Sequence, residues 1–242
     1  MNMVAIAISI AALPAVIAFR IFLYESFKIP TGAMIPSVLV GDHIFVDKLI
    51  YAGGKTPSRG DVIVFRYPRD RTKDYIKRVV AVPGDRVAIK DTEVIVNDVA
   101  LVHSEGTAFV YADEAEEDET TLAPLERRVN LHHEQTPGPD PKVYSVIYRP
   151  SEPSRFALPS GQELPGLECG EKDCTVLPKF VFVLGDNRDN SSDSRVWGGV
   201  PFDDVKGRAS SVWYSKPPKS PTRWDRTGQS LVPTDVKTAA PK

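Results

Sequence analysis

Apolar and polar positions divide the chain into three textures. The first is a continuous apolar run, "MVAIAISIAALPAVIAF" from Met3 to Phe19, resumed after Arg20 as "IFLY". Between Val4 and Tyr24 the one charged residue is Arg20. A helix rises about 1.5 Å per residue, so this run spans a hydrocarbon core of about 30 Å. It is apolar on every face, which argues against a buried soluble helix. Arg20 can snorkel to the headgroups, and Pro14 is tolerated in a membrane. The pattern predicts one N-terminal transmembrane helix over residues 1–24. The rival, a cleaved signal peptide, would want a basic n-region that is missing here. Arg20 and Lys28 follow the run and no Lys or Arg precedes it. Taken alone, that charge bias puts the C-terminal side in the cytoplasm. Met1 opens almost directly into the run, which leaves room for an upstream segment or an earlier span.

The second texture has period two. "DHIFVDKLIY", "DVIVFRY", "YIKRVVAV", "DRVAIKDTEVIVND", "KVYSVIY" and "FVFVLG" are β-branched or aromatic runs bounded by Gly, Pro and Asp. "RVAIKDTEVIV" reads as a hairpin turning at Lys90-Asp91-Thr92. No long amphipathic helix follows the membrane run, so the fold is expected to be mainly β.

The third texture is turn-rich. Between about His103 and Pro178 lie the acidic run "ADEAEEDETT" and the segments "HHEQTPGPDP" and "RPSEPSRFALPSGQELPG". This reads as an inserted subdomain with weak strands, its acidic run a solvated loop. From Ser215 onward the chain is Pro-rich, with six Lys or Arg against two Asp, and reads as a disordered tail. The expected division is an anchor over 1–24, a core in two parts over 25–102 and 179–214, an insert over 103–178 and a tail over 215–242.

Composition narrows the function classes. A net charge of −2 over 242 residues gives no basic footprint for nucleic acid. The 21 prolines and 16 glycines fit many turns. Cys169 and Cys174, in "ECGEKDC", can close a small disulfide loop or stand as two free thiols. A lone pair without histidine neighbours is a poor zinc site. If bonded, the pair points to an oxidising compartment outside the cytoplasmic membrane, against the charge bias.

Two stretches carry chemistry. In "YIKRVVAVPGD", strand alternation puts Tyr75, Lys77, Val79 and Ala81 on one face, and Ile76, Arg78, Val80 and Val82 on the other. Lys77 thus sits among apolar neighbours. Either its stem packs while the ammonium reaches water, or the amine is desolvated and becomes a usable general base. In "GDNRDNSSDSRVWGGVP" three readings stand: an Asx-rich turn, a calcium loop using Asp186, Asp189 and Asp193, or a scaffold beside a catalytic site. The EF-hand spacing, with Gly sixth and Glu twelfth, is absent.

Together and in order, "IPTGAMIPSVLVGDHIFVDK", "RGDVIVFRYP", "YIKRVVAVPGD" and "GDNRDNSSDSRVWGGVP" resemble the bacterial type I signal peptidases. The resemblance covers about residues 20–100 and 180–214. It implies a mainly β catalytic core with an inserted β subdomain and one transmembrane helix. It also implies a membrane-bound serine endopeptidase that removes signal peptides after small-X-small sites. Its partners would be signal peptides of exported preproteins and membrane lipid, without cofactor or metal, and its site would face the extracytoplasmic side of the inner membrane. By resemblance, Lys77 is the general base, Ser191 orients it, Thr31 helps the oxyanion hole and Arg78 pairs with Asp186. Asp193 and Arg195 form a supporting pair. A short-loop cysteine pair in the insert also occurs in larger members.

The nucleophile falls on Ala33, between Gly32 and Met34, and a methyl group attacks nothing. Two origins fit: an engineered Ser→Ala trap, or a natural member without the serine. Thr31 and Ser37 are the nearest other hydroxyls. The competing function is a non-catalytic homologue that binds signal peptides or exported proteins.

Overall fold

In this computed structural model the structure describes residues 23–90, 93–117, 123–148 and 163–235. Sixteen strands there form three antiparallel sheets. The seven-stranded sheet runs, in spatial order, β1 (Tyr24–Lys28), β2 (Asp42–Asp47), β15 (Val205–Ser215), β3 (Val62–Tyr67), β4 (Asp70–Ala81), β13 (Phe180–Leu184) and β14 (Val200–Pro201). A five-stranded sheet holds β11 (Leu167–Cys169), β12 (Cys174–Val176), β5 (Arg86–Lys90), β6 (Glu93–Val96) and β7 (Val99–Ala100). An outer sheet holds β16 (Thr234–Asp235), β10 (Lys142–Ile147), β9 (Pro124–Gln135) and β8 (Val102–Glu117).

The sequence "FVFVL" of β13 is apolar throughout because both of its faces are covered. On one face Phe182 and Leu184 join Val80 and Ala81 of β4 and meet Val87, Val94 and Val96 of the five-stranded sheet. On the other, Val181 and Val183 pack with Ile63, Phe65, Val79 and Trp197. Burying each such side chain contributes about 1.5–3 kcal/mol. Between β4 and β13 the register slips by one residue, from Phe182↔Ala81 to Val183↔Val79. The unmatched Val80 makes a bulge just beyond Lys77 and Arg78, where the strand bends. The chain leaves β4 through Pro83-Gly84. Gly84 has φ 85°, and the Asp85 N–H donates to Val82 O at 3.0 Å, as a type II turn requires.

The strands read from period two are present as β2, β3, β4, β10 and β13, and β5 and β6 form the expected hairpin with Lys90 opposite Glu93. The tip at Asp91-Thr92 lies outside the described residues, as does the expected transmembrane run up to residue 22. Tyr24, placed at the end of that run, is instead the first residue of β1 and pairs with Asp47. Among the described residues no helix is long and apolar enough to cross a membrane.

Two expectations are corrected. The acidic run is not simply a solvated loop: its first half continues β8, and Asp113 and Glu114 are buried. Asp113 lies 3.7 Å from Arg127 of β9, and Glu114 accepts hydrogen bonds from Ser220 Oγ at 2.6 Å and Lys219 N–H at 3.0 Å. Nor is the tail disordered as far as residue 235. Arg226 forms an ion pair with the fully buried Asp42 at 2.7 Å, Leu231 enters the core, and Thr234 pairs with Val143 of β10. The reason is shared. Charges that look solvated in the sequence are buried here because opposite charges or donors far along the chain meet them.

Candidate active site

Residues 29–39 set one wall. Ile29, Met34, Ile35 and Val38 are buried anchors, and turn hydrogen bonds hold the segment between them: Ile35 N–H to Gly32 O at 3.2 Å and Val38 N–H to Met34 O at 2.9 Å. Ala33, between two anchors, lines an open groove of about 540 Å³. Thr31, Lys77, Ile76, Tyr75 and Ser192 line the same groove.

Lys77 comes from the middle of β4, opposite Ile63 of β3. The residue is 4% exposed. Its ammonium donates to Ile76 O at 3.0 Å and lies 5.4 Å from the centre of the Tyr75 ring. Among the described residues it makes no ion pair. Burial lowers its pKa from the ordinary 10.5 to about 8; Asp193 and Asp186 push it back up only in part, and Arg195 lowers it further.

Arg78, one residue on, points the other way and is held rigidly. Nε donates to Asp186 Oδ1 at 2.8 Å and Nη2 to Asp186 Oδ2 at 2.7 Å, while Nη1 reaches Gly60 O at 2.8 Å. Nη2 also donates to Ser37 Oγ at 3.0 Å. Ser37 therefore faces a separate cavity behind the turn, lined also by Arg78, Tyr144 and Arg226, and does not line the groove.

The loop after β13 makes the floor. Asp193 caps the short helix α1 (Ser194–Trp197) and pairs with Arg195: Nε to Oδ1 and Nη2 to Oδ2, both 2.7 Å. Burial pushes the Asp193 carboxyl up, but Arg195, with hydrogen bonds from Gly185 N–H and Ser191, outweighs it and holds the pKa below the usual carboxylate range. Asp193 also accepts from Gly185 N–H at 3.1 Å. The calcium reading loses its ligands here, because Asp186 and Asp193 are each taken by an arginine.

Ser191 Oγ is buried, and it converges with residue 33 on Gly185. A side-chain carbon at position 185 would lie 2.3 Å from Ser191 Oγ and 2.5 Å from Ala33 O. Only a hydrogen fits there. The structure thus brings Ala33, Thr31 and Lys77 to one groove. Ser191 does not line it but meets Ala33 O across Gly185, with the Arg78–Asp186 and Arg195–Asp193 pairs in the same framework. Cys169 and Cys174 do not line this groove. They form a disulfide that joins β11 to β12 in the five-stranded sheet.

Sequence reasoning missed several participants. Asn187 ties the loop to the wall: its N–H donates to Ala33 O at 3.1 Å and its Nδ2 to Gly32 O at 3.1 Å. Gly185, Arg188 and the groove-lining Ser192 were also passed over. Gly185 and Asn187 stood in view on either side of Asp186 in "GDNR", but their partners lie some 150 residues back.

The sequence matches a known family, described as signal peptidase, peptidase S26, over residues 2–214. Similar proteins include signal peptidase I of Aquifex aeolicus, 35% identical over 83% of this chain and 80% of its own. Signal peptidase I of Pseudomonas fluorescens is 34% identical over 84% of this chain and 69% of its own. That of Buchnera aphidicola from Schizaphis graminum is 32% identical over 83% and 71%. A crystal structure of signal peptidase I from Enterococcus faecalis overlaps 64% of this chain and 97% of its own, at 23% identity and a TM-score of 0.34.

Proposed function

The chain belongs to the signal peptidase, peptidase S26, family, and from that premise we propose that it carries the scaffold of a membrane-bound serine endopeptidase. Its substrates are signal peptides of exported proteins, cut after small-X-small sites. Ala33 stands in the nucleophile slot, so the chain as written is inert or nearly so.

One observation carries the reading: a buried amine, Lys77, with no ion pair among the described residues, opens onto the same groove as residue 33. With a serine at position 33, neutral Lys77 would take the hydroxyl proton as oxygen attacks the scissile carbonyl carbon. The ammonium would then return a proton to the leaving amine. The backbone N–H of residue 33 and the Thr31 hydroxyl are the oxyanion donors in this scheme. The first survives the change to alanine.

The setting supports a site at a membrane surface. Tyr24, Trp213 and Trp224 are exposed aromatics on or beside β1 and β15, where the chain emerges from residues 1–22. Trp213 stacks on Phe45. Such amphipathic rings favour headgroup level. The Cys169–Cys174 disulfide favours the extracytoplasmic side.

The test compares the chain as written with Ala33→Ser on a signal peptide bearing a small-X-small site. Ala33→Ser should cleave it faster by orders of magnitude, up to about 10⁶-fold. Adding Lys77→Ala to Ala33→Ser should take back about 10²–10⁴-fold of that gain. Equal, substantial rates with and without the serine would refute the role of position 33. A second reading rests on Ala33 beside an otherwise intact groove: a homologue that binds signal peptides without cutting them. Tight binding of the same peptide by the unaltered chain, with no product, favours it.

A further inference from the structure

Arg188 sits in the loop that carries Asp186 and Asn187, yet its side chain leaves the groove. It enters the outer sheet, where Glu134 of β9 receives it: Nη2 to Oε2 is 2.5 Å, and both side chains are fully buried. Tyr148 donates to the other carboxylate oxygen at 3.2 Å. The same guanidinium turns back through Nε to Gly185 O at 3.2 Å. Main-chain bonds run alongside. The Arg188 N–H donates to Ile147 O at 3.0 Å, the Ile147 N–H donates to Asp186 O at 2.9 Å, and Arg195 Nη2 donates to Arg188 O at 2.7 Å.

A buried ion pair is a weak means to stability, because an apolar pair of the same volume does as well. What an apolar pair lacks is direction. The planar fork of Arg188 spans the outer sheet at one edge and the Gly185 carbonyl at another. Gly185 is the residue against which Ser191 and the residue 33 carbonyl converge. A shift of the turn at 185–188 therefore moves both sides of the site.

We propose that Glu134 is a positioning residue: acting through Arg188, it fixes the turn at 185–188 and so the placement of Ser191 and residue 33 beside Lys77. The outer sheet thereby holds the catalytic geometry without touching substrate. This inference rests on the function proposed above.

The test uses the full chain carrying Ala33→Ser. Glu134→Gln keeps size and an acceptor but removes the charge that holds Arg188. The expected result is a kcat at least about tenfold lower with KM within about twofold, since small misplacements of reacting groups are costly. The acid limb of the kcat profile should also move to higher pH as water reaches Lys77. The groups facing Lys77 are Asp186, Asp193 and Arg195 from the loop and helix and Tyr75 from its own strand, and none is altered. A lower Tm with kcat and the acid limb unchanged would overturn the inference.

If Glu134→Gln does not fold, Glu134→Met with Arg188→Met removes both charges. A folded double variant with low kcat supports the inference, and one with full kcat overturns it. Failure of both to fold makes the pair a fold element and overturns it too. An inert Ala33→Ser parent overturns this inference and the proposed function together. An active parent insensitive to Glu134→Gln overturns this one alone.

Discussion

Lys77 and Arg78 are neighbours on one strand, both are cations, and both are buried, yet their surroundings differ in kind. Arg78 meets a bidentate carboxylate, a backbone carbonyl and a hydroxyl, and stays charged. Lys77 meets a single carbonyl and an aromatic ring, and its pKa falls to about 8. Burial penalises charge on both faces, and a partner on one face alone compensates it. The strand thus presents a structural cation behind the site and a titratable amine within it, at adjacent positions.

The sharpest way to break this contrast is to truncate each side chain in the Ala33→Ser background. Lys77→Ala should lower kcat by about 10²–10⁴-fold while the fold survives. Arg78→Ala should instead cost about 3–5 kcal/mol of stability in urea melts, because it strands the Asp186 carboxylate in the interior. If Arg78→Ala leaves stability untouched, or Lys77→Ala leaves kcat untouched, the two faces do not differ as described.

A smaller effect sharpens it. Lys77 binds its proton less tightly folded than unfolded, so the folded state is penalised wherever the unfolded lysine is charged. The penalty is complete below about pH 8, fades as pH rises towards 10.5 and is gone above it. The drop from 10.5 to about 8 corresponds to about 3 kcal/mol. Lys77→Met should therefore raise Tm at neutral pH, with a gain that shrinks as pH climbs through that window. A gain that stays constant with pH would mean that Met merely packs better.

Smallest is the change at Gly185, where an added methyl meets Ser191 Oγ and Ala33 O. Overpacking of this kind costs about 1–3 kcal/mol. Gly185→Ala should also lower kcat of the Ala33→Ser chain, because either neighbour must move. Unchanged kcat would place Ser191 outside the machinery.

The sequence made the Lys77 side of this contrast readable only up to Val79: alternation set Lys77 and Val79 apart from Arg78, but the bulge at Val80 carries Ala81 to the opposite face from the one alternation gives it. It also made β2, β3 and β13 readable, through alternation or an unbroken apolar run. The same logic misled where a charge is answered from afar. Asp113 and Glu114 read as solvated, and Arg226 read as part of a loose tail. In the fold Glu114 meets Ser220, and Arg226 meets Asp42, 184 residues away. Glu134 was invisible for the same reason, since nothing near it in the chain announces Arg188. Local periodicity reports which face of a strand is buried. It does not report which distant group will neutralise a charge there.

The most direct test is an NMR titration of the lysine side-chain amines in the unaltered chain, with the Lys77 signal assigned by its loss in Lys77→Met. Lys77 should titrate with a midpoint of about 8, well below the ordinary lysine value of 10.5. A Lys77 midpoint near 10.5 would contradict it, for then the amine opening onto the groove would be an ordinary charged lysine and no base.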